Sequence, residues 1–177
     1  PEPRVTLSPF GTIVTYLGDQ YAVNLMTSAR GARERWAWRN SVVSLRRPFP
    51  PVPIGSAERA ELEAGLSYQI AGLDGTLSGT MPKVPATKAP ITWLTVADDG
   101  RMYVRVATAS TKGEVIRPEA APGRPTPPAT SWREPQAVYD VYERDGAYLG
   151  QFRTPSTVFF RAARGNVIWL SGRDEDG

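Results

Sequence analysis

ITWLTVADDGRMYVRV (Ile91–Val106), AVYDVYERDGAYLGQF (Ala137–Phe152) and TVFFRAARGNVIWLSG (Thr157–Gly172) decide the fold of this chain. In each, two short runs rich in β-branched and aromatic residues flank Asp-Gly or Gly-Asn. Those runs suit a pleated surface, and the central residues tolerate the positive φ angles of tight hairpin turns. Each unit therefore reads as a β-hairpin. GTIVTYLGDQYAVNLM (Gly11–Met26) repeats the pattern with Gly18 and Asp19 at the turn, and Val42–Leu45 continues as a short strand.

Between these units the sequence changes character. PFPPVP (Pro48–Pro53) cannot donate ladder hydrogen bonds and reads as an extended connector. A helix follows at about 56–71, with the Ser56 hydroxyl expected to cap its first turn and Glu58, Glu61 and Glu63 near its N-terminal half. Leu62, Leu66 and Ile70 recur every fourth position and are expected to form its buried stripe, and Gly72 to end it. Asp74–Pro90 reads as a long loop. A second excursion, about 108–135, carries six prolines and few large apolar side chains, and is expected either to be solvated or to serve as a docking arm.

The chain has no histidine and no cysteine in 177 residues. Catalytic triads, Cys-His pairs, haem, zinc and iron–sulfur sites all need imidazole or thiolate, so carboxylate, Tyr, Lys, Ser or oxygen-ligated Ca²⁺ or Mg²⁺ chemistry is what remains. No apolar run is long enough to cross a bilayer as a helix, and the residues from Pro1 onward do not read as a signal peptide, so any targeting segment is expected to be already missing. A net charge of +3, from 18 Arg and 3 Lys against 18 acidic residues, is too small to argue for nucleic acid.

The sharpest binding feature is the run containing Arg30, Arg33, Arg35, Trp36, Trp38, Arg39, Arg46 and Arg47. Arginine forks bind carboxylates and phosphates, and indoles stack or sit at lipid headgroups. In a strand, Trp36 and Trp38 share one face and Arg35 and Arg39 the other, so the run reads either as a core face with a solvated back or as a contact with an acidic protein or anionic membrane. Trp132, near the end of the second excursion, joins this set as an interaction residue. Asp98, Asp99, Asp140, Glu143 and Asp145 read as turn residues bonding to nearby backbone, and Asp174, Glu175 and Asp176 as a solvated acidic run.

The succession Ile91–Val106, Ala137–Phe152, Thr157–Gly172 resembles the blades of bacterial six-bladed β-propeller proteins of the NHL and YncE-like kind. There a D-x-x-G-x-hydrophobic-x-V hairpin is followed by a hydrophobic-x-V-[FY]-D-x-D-G-x-hydrophobic-hydrophobic-G hairpin, and the pair forms one four-stranded blade. The match spans Ile91–Gly172 and, more weakly, Gly11–Leu45. The resemblance implies a mainly β fold of antiparallel hairpins in propeller-like blades, and the residues add one short helix and long proline-rich loops to it. Residues 1–177 then form a single β-rich domain: N-terminal hairpins over 11–47, a proline-rich connector over 48–90 that holds the helix, and propeller-like hairpins over 91–172 interrupted by the excursion.

Blades take roughly 40–45 residues and a ring needs at least four, so strands for about two and a half blades leave the ring incomplete. The chain is then part of a longer propeller, closes with another chain, or is an open β assembly whose edges favour association. The expected function is a non-catalytic structural or interaction subunit of a larger complex. It would lie on the periplasmic side of the cell envelope, peripheral to the membrane, with other protein subunits as partners, contact with an anionic membrane surface, no transmembrane segment and no nucleic acid. The first alternative is a truncated ligand-binding propeller of the envelope. The second is a metal-dependent, lactonase-like hydrolase, for which only Asn24, Asn40 and Asn166 are available beside the carboxylates. No catalytic, metal or cofactor residue is assigned, and no cofactor is expected.

Overall fold

The fold is mainly β, with twelve strands and one helix among the described residues. The computed structural model describes residues 4–7, 13–16, 20–28, 38–71, 83–120 and 125–172. They fall into two units, one built from 1–51, 89–108 and 136–177, the other from 52–88 and 109–135.

The first unit opens with a four-stranded antiparallel meander, β1 (Arg4–Leu7), β2 (Ile13–Tyr16), β3 (Ala22–Ser28) and β4 (Trp38–Arg46), adjacent in chain order. The hairpin read over Gly11–Met26 is β2 on β3, with Ile13 opposite Met26 and Tyr16 opposite Val23; its turn lies outside the described residues. β4 is longer than the expected Val42–Leu45, because its backbone pairs with β3 from Ser28↔Trp38 to Ala22↔Arg46.

β5 (Ile91–Val96), β6 (Met102–Val106), β9 (Gln136–Tyr142) and β10 (Tyr148–Pro155) form a second four-stranded meander, and β11 (Val158–Arg164) pairs with β12 (Val167–Gly172) as a separate two-stranded sheet. The turns follow from their sequences. Ala97 N–H bonds the Arg101 carbonyl at 2.9 Å, Gly100 N–H bonds the Ala97 carbonyl at 2.9 Å, and Gly100 sits at φ 91°. Glu143, Gly146 (φ 94°) and Ala147 repeat the arrangement, the three-residue loop in which glycine absorbs the left-handed position.

Both faces of the second sheet are covered, because apolar residues of its strands point to each side. On one, Leu94, Val96, Met102, Val104, Val138 and Tyr142 pack with Val14, Tyr16, Tyr21, Val23, Leu25 and Leu45 of the first meander. On the other, Trp93, Tyr103, Val141 and Phe152 meet Phe160, Ala163 and Ile168 of the β11–β12 hairpin. Successive sheets thus stack in chain order, each buried against the next.

The second unit is held differently. Its helix α1 (Ser56–Ala71) begins where expected, but the Arg59 N–H bonds the Gly55 carbonyl at 2.9 Å, so Gly55, not Ser56, is the capping position. The expected apolar stripe is only partly buried: Leu62 is 45% exposed, Leu66 and Ile70 are half-buried, and the buried residue of the helix is Glu58. Polar clamps add to it. Lys88 pairs with Glu134 at 3.1 Å and Glu58 at 3.5 Å and donates to Ser110 Oγ at 2.7 Å. Within the excursion read as loop, β7 (Thr111–Ile116) pairs with β8 (Thr130–Arg133), a short exposed hairpin that propensity alone did not signal.

Glu61 fastens α1 to β8. Its carboxylate accepts from the Ser131 N–H (2.7 Å), the Ser131 hydroxyl (2.8 Å) and the Trp132 N–H (3.0 Å). Burial acts to raise its pKa, but these donors outweigh it and hold the carboxyl below its ordinary value. A folded-state pKa below the unfolded one gives stability that is present above the unfolded pKa and lost as pH falls through the folded one. Trp132 fluorescence is therefore expected to report loosening of the α1–β8 contact in acid. Glu61→Gln, which cannot accept all three bonds, should show that loosened signal already at neutral pH and no acid transition. An unchanged acid transition in this variant would assign the effect to another group.

Candidate functional site

The main polar feature of the first unit lies where β3 and β4 end. Ala22 and Arg46 are their terminal register pair, so Tyr21 and Arg47 lie one residue beyond that rung, before β3 and after β4. Opposite them, β9 presents Asp140 on the same face as Val138 and Tyr142. Asp140 has 0% exposure. Its carboxylate accepts from Tyr21 Oη at 2.6 Å and from Gln151 Nε2, its cross-strand partner on β10, at 3.0 Å. It also pairs with the Arg47 guanidinium at 3.2 Å. Tyr21 and Tyr142 share a further hydrogen bond of 2.6 Å between their hydroxyls.

This geometry sets the electrostatics. Burial, then the hydrogen bond to Asp140, drives the Tyr21 phenol far above its usual range, and burial likewise raises Tyr142. For Arg47, burial acts downward, but the Asp140 carboxylate wins and the guanidinium is held more firmly protonated. The guanidinium carbon also stands 4.9 Å from the Tyr21 ring centroid and 5.8 Å from that of Tyr148, within cation–π range. Phe49 stacks on Tyr21 at 5.9 Å and 24°. Beside this cluster lies a cleft of about 430 Å³ lined by Gln20, Tyr21, Arg46, Arg47, Phe49 and Pro90, among others.

Of the residues singled out in the sequence, five are among those the structure describes. Arg30, Arg33, Arg35 and Trp36 lie outside the described residues, and Trp38 and Arg39 are placed by their backbone in β4. Arg46 is exposed, and Arg47, read only as one of a basic series, is the member engaged with a buried carboxylate. Trp132 is half-buried on β8, in the other unit.

The acidic residues divide as well. Asp99 and Asp145 do serve their turns, accepting from Arg101 N–H at 3.0 Å and Ala147 N–H at 2.9 Å. Asp140 does not: it is inside a strand and its partners are distant in sequence, because the turn begins only at Glu143. Glu143 instead pairs with Arg101 at 3.2 Å, while Arg101 Nη1 donates to the Gly165 carbonyl at 3.0 Å. One arginine thus ties together the turns of three hairpins. The only sequence signal for Asp140 was its phase, since it alternates with Val138 and Tyr142 on an otherwise apolar face.

A second surface is apolar. Phe159, Val167, Trp169 and Leu170 of the β11–β12 hairpin are exposed, as are Tyr148 and Leu149 at the start of β10. Residues 148–172 include Arg153, Arg161 and Arg164 and no acidic residue. Among the described residues no group of three or more His, Cys, Asp or Glu is gathered to hold a metal ion, and no helix is long and apolar enough to cross a membrane. No family model matches the chain, and no curated protein or solved structure compared with it gives a match.

Proposed function

We propose that this chain is a stack of propeller-like β-blades that works by protein association, as a non-catalytic structural or interaction subunit whose last hairpin is completed by strands of a partner chain. The observation that carries this reading is the β11–β12 sheet. Two four-stranded meanders precede it, each burying one face against the next sheet, whereas β11–β12 has two strands and exposes Phe159, Val167, Trp169 and Leu170. A two-stranded ribbon gains little stability alone, and an unpaired strand edge is a template for another strand.

The partner's chemistry follows from the surface. It supplies extended strands with β-branched and aromatic residues toward Phe159, Val167 and Trp169, which share the outer face of the hairpin, flanked by acidic side chains that complement Arg153, Arg161 and Arg164. A host complex at the periplasmic face of a membrane extends the proposal, supported by the propeller resemblance and the arginine–tryptophan run.

Native mass spectrometry of the protein gently purified from its source tests the reading, with hydrogen exchange on the complex. The expected result is a stoichiometric assembly of this 19.4 kDa chain with other subunits. The amides of Ile168 and Leu170 should be protected only in the complex, and Phe159→Glu with Trp169→Glu should abolish assembly without changing the unfolding midpoint. A single longer polypeptide whose own strands protect β12, or an assembly insensitive to the double variant, would overturn it. The cleft beside Arg47 favours a second reading, a ligand-binding propeller.

A further inference from the structure

We infer that the cleft beside Arg47 binds a small aromatic monocarboxylate. Its volume of about 430 Å³ falls within the range of small-molecule sites, roughly 300–1,000 Å³. Its lining combines apolar and polar groups. Tyr21, Pro48, Phe49 and Pro90 supply flat or apolar walls, while Arg46, Arg47 and Gln20 supply donors.

Arg47 is arranged as a recognition group rather than a loose surface charge. Its side chain is 33% exposed, yet it is fixed by the fully buried Asp140 carboxylate at 3.2 Å and by the Tyr21 ring at 4.9 Å. A donor already immobilised in the free protein loses little further entropy when a ligand arrives. Asp140 is in turn held by Tyr21 and Gln151, so the guanidinium inherits a rigid frame.

Charge decides the class of ligand. Arg46 is exposed and makes no ion pair among the described residues, and no acidic described residue lines the cleft. Among the described residues, two guanidinium groups against the Asp140 carboxylate leave one net positive charge, which suits a monoanion better than a phosphate dianion. The planar fork of arginine matches the two oxygens of a carboxylate. Phe49, half-buried and already stacked on Tyr21, offers a ring face on which an aromatic body can lie.

The probe is 2-naphthoate, titrated into the intact chain at low salt and followed by calorimetry and by amide NMR shifts. The expected result is saturable one-site binding with Kd below about 1 mM, with shifts confined to 20–22 and 46–49. Uncharged 2-naphthalenemethanol should bind at least about tenfold more weakly, and Arg46→Gln, at an exposed side chain, should weaken naphthoate binding roughly fivefold without moving the unfolding midpoint; Phe49→Ala, compared under conditions where it is fully folded, should weaken it about as much. Absence of saturation, equal binding of the alcohol, or insensitivity to both variants would overturn the site. Tighter binding of phenyl phosphate than of naphthoate would overturn the monocarboxylate assignment.

Discussion

Asp140→Ala is expected to destabilise the first unit by about 3–5 kcal/mol, the usual cost of breaking a buried ion pair by removing one partner. The substitution strips Arg47 of its countercharge and leaves Tyr21 Oη and Gln151 Nε2 without their acceptor, all around a position with no solvent exposure. Asp140→Asn keeps the shape and one carbonyl acceptor but not the charge, and should cost about half as much. Tyr21→Phe, which removes one hydroxyl from the network while keeping the ring under Arg47, should cost about 1–2 kcal/mol. Urea unfolding followed by tyrosine and tryptophan fluorescence measures all three. A loss below about 1 kcal/mol for Asp140→Ala would mean the network is no tighter than a surface salt bridge.

Tyr103→Ala should be comparably damaging, about 3–5 kcal/mol, because it empties the centre of an aromatic cluster. The Tyr103 ring lies 4.9 Å from Phe160 and 6.2 Å from Phe152, and Phe152 stacks on Tyr139 at 4.8 Å and 10°. These rings join the second sheet to the β11–β12 hairpin, so the cavity would loosen the seam between consecutive sheets. Trp169→Ala is the informative contrast, since the indole is exposed and should cost less than about 1 kcal/mol in the isolated chain. The same denaturation curves decide it. A large loss for Trp169→Ala would place its contribution in the fold rather than in association.

The hairpins were legible in the sequence because their signals are local. Asp99–Gly100, Asp145–Gly146 and Gly165–Asn166 mark turns whose glycines adopt positive φ, and the runs beside them are rich in the β-branched and aromatic residues that suit strands. The boundaries of α1 were legible for the same reason. What the sequence did not disclose depends on distant partners. Asp140 looks like another acid near an Asp-Gly turn until β3 and β4 deliver Tyr21 and Arg47 to it. The Leu62–Leu66–Ile70 spacing promises an apolar face, yet α1 is fastened by Glu58 and Glu61, whose partners are dozens of residues away. The β7–β8 pairing is likewise hidden, because prolines between the strands mask a hairpin without a tight-turn signature.

The ladder between β6 and β9 runs unbroken from Met102↔Tyr142 to Val106↔Val138, although the chain leaves the sheet at Val106 and re-enters at Gln136. Register here is set by the strands and not by what joins them. Doubling the length of a flexible connection adds only about 0.6 kcal/mol of closure cost. The segment between these strands is therefore a cassette position. What it carries bears on the second unit, to which 109–135 belong, while the pairing of this sheet is written in the strands themselves.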